Sequence, residues 1–341
     1  MIRSIFSILF LFLFPVNYSS GNEYRGTIID AHSQWGCEFP PKVIFNAIKK
    51  RKTDHTLLSV RCAPEKGDPV EIHLKLAKLV ESMGRQANML LSLKYKDAAT
   101  VVKLVDSAYF NKSVGFSEII VQHAIHVHQH LKISKARDHD LESSHIVKLI
   151  DFIARKKVPI ILHIELNDFE SKSAMILRQL KDLLKKYPKH KFVLIHMGQA
   201  NVDEARNLIE EHKNIFFLTS QADAFSVVGI RRLEKRGEKA QFGWINMFTD
   251  PSEKAPYKGW AIDYRKTFSW RKDWENLIKK YPDRFIFAID SIFKPHWGRR
   301  YRAKLKLWKK AFSLLPPEVA IQVACKNAAS LWKIDVSCAL K

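Results

Sequence analysis

The sequence lacks the short signatures of most nucleotide and serine chemistry. It has no Gly-x-Ser-x-Gly elbow, no phosphate-cradling glycine loop and no dinucleotide glycine fingerprint. Those absences argue against a serine nucleophile on an elbow, a P-loop enzyme and a nicotinamide-binding domain. Cysteine is scarce. Cys37, Cys62, Cys325 and Cys338 are the only four, and no two stand at Cys-x-x-Cys spacing. A structural zinc cluster is therefore not expected. Acidic residues are also in the minority, 35 against 57 lysines and arginines, which leaves a formal charge of +22. The lysines are spread along helix faces, as at Lys181, Lys185, Lys186, Lys279 and Lys280, instead of gathering in one arm. A nucleic-acid partner is not expected from that distribution. Attraction to anionic surfaces or to an acidic substrate is the better use of the charge. No repeat, low-complexity segment or interdomain linker interrupts the chain.

Long apolar runs are absent except at the start. Met1-Ile2-Arg3-Ser4 is a short basic opening, Ile5 to Val16 is almost unbroken apolar sequence, and Ser19-Ser20-Gly21 supplies small residues. Residues 1–20 read as a secretory signal peptide, with an uncleaved N-terminal anchor as the alternative. The expected protein is exported, periplasmic or secreted. Export permits disulfides. Cys37 and Cys62 follow the first two expected strands, which are neighbours in a barrel, so a bridge between them is open. Buried free thiols are the expectation.

What is present is a series of short apolar runs that each end on a residue able to bind a metal or move a proton. Gly26-Thr27-Ile28-Ile29-Asp30-Ala31-His32 ends on a histidine, as do Val158 to His163 and Lys191 to His196. Asp283 to Asp290 ends on an aspartate. Continuous runs of this kind read as strands buried on both faces in a parallel sheet. Between them lie helical patterns, such as Pro41 to Lys52, Val70 to Gly84, Ala98 to Asn111 and Glu170 to Tyr187. Strands are expected at Thr27–Ala31, His55–Val60, Asn88–Leu93, Phe116–Val121, Pro159–His163, Phe192–His196, Ile215–Thr219 and Phe285–Asp290. Eight such units predict an α/β fold, a (β/α)8 TIM barrel over residues 21–341, with functional groups gathered at the C-terminal mouth.

The gap between the seventh and eighth strands is about 65 residues, far beyond an ordinary loop. This long insertion, near residues 220–269, is rich in aromatic and basic residues, including Trp244, Trp260, Arg231 and Arg265. It reads as a lid over the mouth, or as an excursion packed on the outside.

His163, His196 and Asp290 end three of the expected strands. Imidazole nitrogen and carboxylate oxygen are the usual ligands of a catalytic zinc with an open position. Such an ion activates water and polarises a carbonyl, and a neighbouring aspartate can take the water's proton. Glu165 and Asn167 follow His163, and Gln221 and Asp223 follow the seventh strand; each reads as a loop hydrogen-bonder at the mouth instead of a catalyst.

Four segments carry a family resemblance. They are Asp30-Ala31-His32, the histidines His163 and His196, the run Pro282 to Ser291, and the closing stretch Leu315 to Leu331 with its Asn327-Ala328 pair. In this order they resemble the amidohydrolase superfamily, in particular its amidohydrolase-2 branch of metal-dependent hydrolases and decarboxylases. The resemblance spans essentially the whole mature chain. It implies one divalent metal, zinc with manganese as the alternative. His32, His163 and Asp290 would hold it, Asp290 would also act as general base, and His196 would polarise the substrate carbonyl. The implied substrate is a small anionic molecule, a carboxylate-bearing amide, ester or lactone. Decarboxylation uses the same ligand set and is the nearest rival.

The chain departs from that pattern at its first strand. His-x-His is replaced by His32-Ser33-Gln34, and no bridging lysine or glutamate is evident at strand four. His123 opens a histidine cluster there, with His126, His128 and His130. Three arrangements follow: the metal held as above, a rearranged site that recruits His123, or a site without metal. A metal-free site could still catalyse, or the barrel could serve only as a binding protein.

Overall fold

The computed structural model describes residues 23–51, 53–62, 68–92, 113–123, 137–138, 140–167, 172–222, 247–248 and 269–340. The expected signal peptide, the helix at 98–111, the cluster His126, His128 and His130, Asp223 and nearly all of the expected insertion lie outside these residues.

Parallel strands make the frame. One sheet joins β1 (Ile29–Trp35), β2 (His55–Val60), β3 (Ala87–Leu91) and β4 (Ser113–Phe116) in that order. The second runs from β5 (Glu118–Ile120) through β8 (Ile160–His163), β9 (Phe192–Leu194) and β10 (Ile215–Leu218) to β11 (Phe285–Ile286). A separate antiparallel ribbon pairs β6 (Gln122–His123) with β7 (Arg137–Asp138). β4 and β5 are one strand broken at Ser117, and each half pairs with a different neighbour. The two parallel sheets thus share a strand position, which gives the eight of an α/β barrel. Backbone bonds close the circle from last strand to first: Ala31 N–H donates to Phe287 O at 3.0 Å, Asp290 N–H to His32 O at 2.9 Å, and Gln34 N–H to Ser291 O at 2.7 Å.

The strands form because their residues can be buried on both faces. Every residue of β1, β2 and β8 is buried. β1 extends beyond the expected Ala31 to Trp35, so His32, Ser33 and Gln34 lie within the strand. The eighth strand is shorter than expected, Phe285–Ile286, and Asp290 beyond it has a φ of 55°.

The helices bury one apolar stripe each. α1 (Lys42–Arg51) and α2 (Pro69–Met83) follow the first two strands. α2 starts on Asp68, whose carboxylate accepts from Val70 N at 2.8 Å, and stops at Gly84 with φ 56°. α3 (Ser144–Arg155) buries Ile146, Ile150 and Ile153. α4 (Ser173–Lys186) buries Ile176, Leu180, Leu183 and Leu184, and α5 (Val202–Glu211) buries Ala205, Leu208 and Ile209 behind an Asn201/Glu204 capping box. After α6 (Lys272–Lys280) and the last barrel strand come α7 (Arg299–Ser313), α8 (Pro317–Ile321) and α9 (Asn327–Trp332). Trp308 of α7 is fully buried against Phe248, Trp270, Phe287 and Phe312. Met247 and Phe248, described residues within the expected insertion, therefore pack into the core. Among the described residues no helix is long and apolar enough to cross a membrane.

The cysteines correct one expectation. All four are paired, Cys37 with Cys62 and Cys325 with Cys338, at Cα separations of 5.2 and 5.7 Å. The first bridge joins the segments that follow β1 and β2, as neighbouring barrel strands allow. The second depends on the C-terminal tail folding back, with Thr27 N–H donating to Ala339 O at 2.9 Å. Closing a loop of this size stabilises a fold by about 3 kcal/mol. The Cys325→Ser, Cys338→Ser double variant is expected to lose about that much, read as a lower denaturation midpoint with an unchanged denaturant slope. An unaltered midpoint would show that the bridge adds nothing.

Candidate active site

Barrel geometry delivers the side chains that end the strands to one mouth. His32 and Gln34 stand two apart in β1 and both reach Asp290, which follows β11. The Gln34 amide Nε2 donates to Asp290 Oδ1 at 2.8 Å and to Glu118 Oε1 at 3.4 Å. His32 places Nδ1 3.2 Å from the same Oδ1, and its Nε2 lies 3.2 Å from Ser117 Oγ, at the break between β4 and β5. His196 approaches the other oxygen, with Nε2 3.7 Å from Asp290 Oδ2.

A second group of contacts surrounds His163, the last residue of β8. Its Nδ1 lies 2.9 Å from Glu118 Oε2 and its Nε2 2.9 Å from Glu165 Oε1. Arg61, just past β2, holds a guanidinium nitrogen 3.8 Å from Glu118 Oε1 and keeps 29% of its side chain exposed. The rings of His163 and His196 meet edge to face with centroids 4.9 Å apart, so the two groups form one site.

Backbone strain collects here. His196, Met197, Gly198 and Gln199 all have positive φ, between 50° and 64°. Gln221 past β10 and Asp290 past β11 also have positive φ, 60° and 55°. Three consecutive barrel strands thus end in left-handed turns, a conformation that costs non-glycine residues about 1–3 kcal/mol each. Gly198 has a further reason to be glycine, because a Cβ there would stand 2.8 Å from Leu194 Cδ1.

The electrostatics follow from burial and partners. Burial alone would lower the pKa of His163, but its hydrogen bonds with Glu118 and Glu165 outweigh that and raise it to about 9. The ring is an imidazolium at neutral pH. Burial pushes His196 the other way, to about 4, helped by the charge on His163. The Ser220 carbonyl, 3.2 Å from His196 Nδ1, can only accept, so Nδ1 carries the proton and Nε2 presents its lone pair towards Asp290. Burial opposes ionisation of Asp290, but the adjacent His32 ring outweighs it and holds the carboxyl below the usual carboxylate range.

Asp30, the first letter of the Asp-x-His segment, is turned to structure. It accepts from Ile289 N–H at 2.9 Å, Ser33 Oγ–H at 2.7 Å and Tyr301 Oη–H at 3.2 Å. Ser33 Oγ in turn accepts from Ser291 N–H at 3.0 Å, so both sides of Asp290 are pinned to β1. Burial raises the Asp30 pKa to about 6.

The structure therefore brings His32, His163, His196 and Asp290 together. His123 lies in the antiparallel ribbon that follows β5, paired with Arg137. Glu118 and Arg61 were not anticipated, and Glu165, in the loop just past β8, is a buried hydrogen-bond partner of His163. Glu118 is the strand-four carboxylate that the sequence concealed. Its signal was a lone acid inside an apolar strand, where an unpaired charge is not tolerated.

A divalent ion fits this donor set poorly. Among the described residues no three histidine, cysteine or carboxylate side chains are arranged to hold one. Both nitrogens of His163 are bonded to carboxylates, and an amide nitrogen occupies Asp290 Oδ1.

The comparisons with known proteins agree with this architecture. The family model described as Amidohydrolase matches residues 123–334. Among solved structures, an uncharacterized TIM-barrel protein from Bordetella bronchiseptica is similar at 9% identity and a TM-score of 0.51, over 90% of this chain and 98% of that one. A D-hydantoinase (dihydropyrimidinase) from Thermus sp. is similar at 12% identity and a TM-score of 0.53, over 90% and 70%. A dihydropyrimidinase from Brevibacillus agri is similar at 10% identity and a TM-score of 0.50, over 92% and 71%. At these identities the likeness is one of fold. No curated protein matches the sequence.

The raised pKa of His163 has a consequence for stability. A histidine raised by folding stabilises fully below its unfolded value of 6.5, and that contribution is lost as pH rises through about 9. Thermal stability is expected to fall across this window, with the His163 ring titrating near its upper end by NMR. A ring that titrates near 6.5 would contradict the pairing with Glu118 and Glu165.

Proposed function

The chain belongs to the amidohydrolase family, and from that premise we propose that it is an exported hydrolase that adds water to a small carboxylate-bearing amide, ester or lactone. The observation that carries the proposal is the pair Asp290 Oδ2 and His196 Nε2, 3.7 Å apart at the strand ends. Both are acceptors. A water molecule between them donates one proton to each and turns its lone pairs towards the mouth. Asp290 then removes the proton as the water attacks the substrate carbonyl, and the proton passes by way of His196 to the leaving group.

The geometry changes one expected role. With Nδ1–H committed to Ser220, neutral His196 has no N–H to offer a carbonyl at Nε2, so it serves as acceptor and relay instead of polarising group. No step is assigned to a metal, since the donor set fits one poorly. Arg61, partly exposed beside Glu118, offers a cation for a substrate carboxylate, and the net charge of +22 favours the approach of anions. The positive charge would also hold the protein near anionic surfaces, and no nucleic-acid partner is proposed.

Export rests on the apolar run in residues 1–20 and gains support from the two disulfides, which persist in oxidising compartments. The mature enzyme is then residues 21–341. Protein recovered from the exported fraction is expected to begin near Gly21 by mass spectrometry. An intact Met1 terminus in that fraction would contradict cleavage.

The catalytic assignment is tested with a panel of carboxylate-bearing lactones, esters and amides. Asp290→Asn is expected to lower kcat by about 100- to 10,000-fold, the scale of general-base catalysis. Activity that survives the substitution would remove Asp290 from the mechanism. Release of carbon dioxide in place of a hydrolysed product would assign the site to decarboxylation.

A further inference from the structure

We propose that Gln34 and His163 stand in for a divalent ion in this site, which supplies its positive charge from the chain and works without a bound metal. The final clause rests on the hydrolase reading; the rest stands on geometry.

Three carboxylates, Asp290, Glu118 and Glu165, are buried at the mouth. Buried carboxylates need counter-charge and hydrogen bonds, and in a metal site the ion is the largest local source of both. Here that role is filled. The Gln34 amide group has two N–H donors and spans Asp290 and Glu118, at 2.8 and 3.4 Å. His163 spans Glu118 and Glu165, at 2.9 Å on each side. A histidine ligand must offer a lone pair to the ion. A ring that donates to a carboxylate from each nitrogen has none to offer. Arg61 adds a positive charge 3.8 Å from Glu118. The two remaining rings, His32 and His196, face different oxygens of Asp290, and the oxygen nearest His32 is already bonded to Gln34.

Gln34 is thus the deciding residue. Imidazole in its place removes the amide bridge and adds a ligand.

The test uses the mature full-length chain and its Gln34→His variant. Each is incubated with excess zinc or manganese and desalted, and its metal content is measured. Cobalt is used in parallel, because a cobalt site reports its ligands by visible absorption. The wild type is expected to retain far less than one ion per chain and to show no ligand-field band. Gln34→His is expected to bind zinc about 10- to 100-fold more tightly, the range over which single residues tune metal affinity. A wild type holding one ion per chain overturns the inference. So does a folded Gln34→His variant with no gain in affinity. Should that variant fail to fold, the metal content of the wild type decides alone. The readout does not involve turnover. A metal-free wild type that is inert on every test substrate would support this inference and sink the hydrolase reading.

Discussion

Three carboxylates at the closed mouth of one barrel are the constraint on which the site depends. Two unit charges 4 Å apart in surroundings of intermediate polarity repel by about 4 kcal/mol, a large share of the stability of a whole domain. Asp290, Glu118 and Glu165 are buried together with compensating groups set against them: His32 beside Asp290, Gln34 and the His163 imidazolium between carboxylates, and Arg61 3.8 Å from Glu118. Those donors come from β1, from β8 and from the segment after β2. Each must arrive on the lumen side. A slip of one residue in any of these strands would turn a donor outward and leave a carboxylate unpaired. The network therefore constrains register as strongly as the apolar core does.

The same mouth bears the backbone strain. Positive φ at His196–Gln199, Gln221 and Asp290 persists because the surroundings over-determine it. Asp290 shows how. Its N–H is bonded to His32 O, and the residues on either side are bonded to Asp30 and Ser33. The first and last strands are stitched there by side chains as well as by backbone bonds. Asp30 thus acts on the site through position, although the motif that contains it suggests chemistry.

How much of this was legible in the sequence depended on contrast. Apolar runs that end on His163, His196 and Asp290 stand out because the polarity changes abruptly at the strand terminus, and these residues do meet. Glu118 was hidden because it lies between Ser117 and Ile119 inside the run Phe116–Val121, where the apolar neighbours set the pattern. Arg61 was hidden by abundance, as one basic residue among 57. Gln34 was read correctly as a departure from His-x-His, but the sequence could not show that its amide would face two carboxylates. The cysteines failed differently. Strand adjacency pointed to Cys37 and Cys62, yet the Cys325–Cys338 pair depends on a tail that returns across β1, and no local pattern encodes that return.

Covalent geometry and electrostatics meet at the Cys37–Cys62 bridge. Cys62 directly follows Arg61, and Cys37 lies shortly after Gln34, so the bridge ties together the two segments that carry these donors to Glu118. A long guanidinium side chain on a loose loop would lose rotamer entropy on pairing, which is why exposed ion pairs contribute little. A loop restrained at the next residue has less freedom to lose. The bridge also keeps donors close to the carboxylates when no substrate is present, so the site is organised before binding instead of during it. In that view the disulfide stabilises more than the fold. It ties the segments of β1 and β2 that set Gln34 and Arg61 against Glu118.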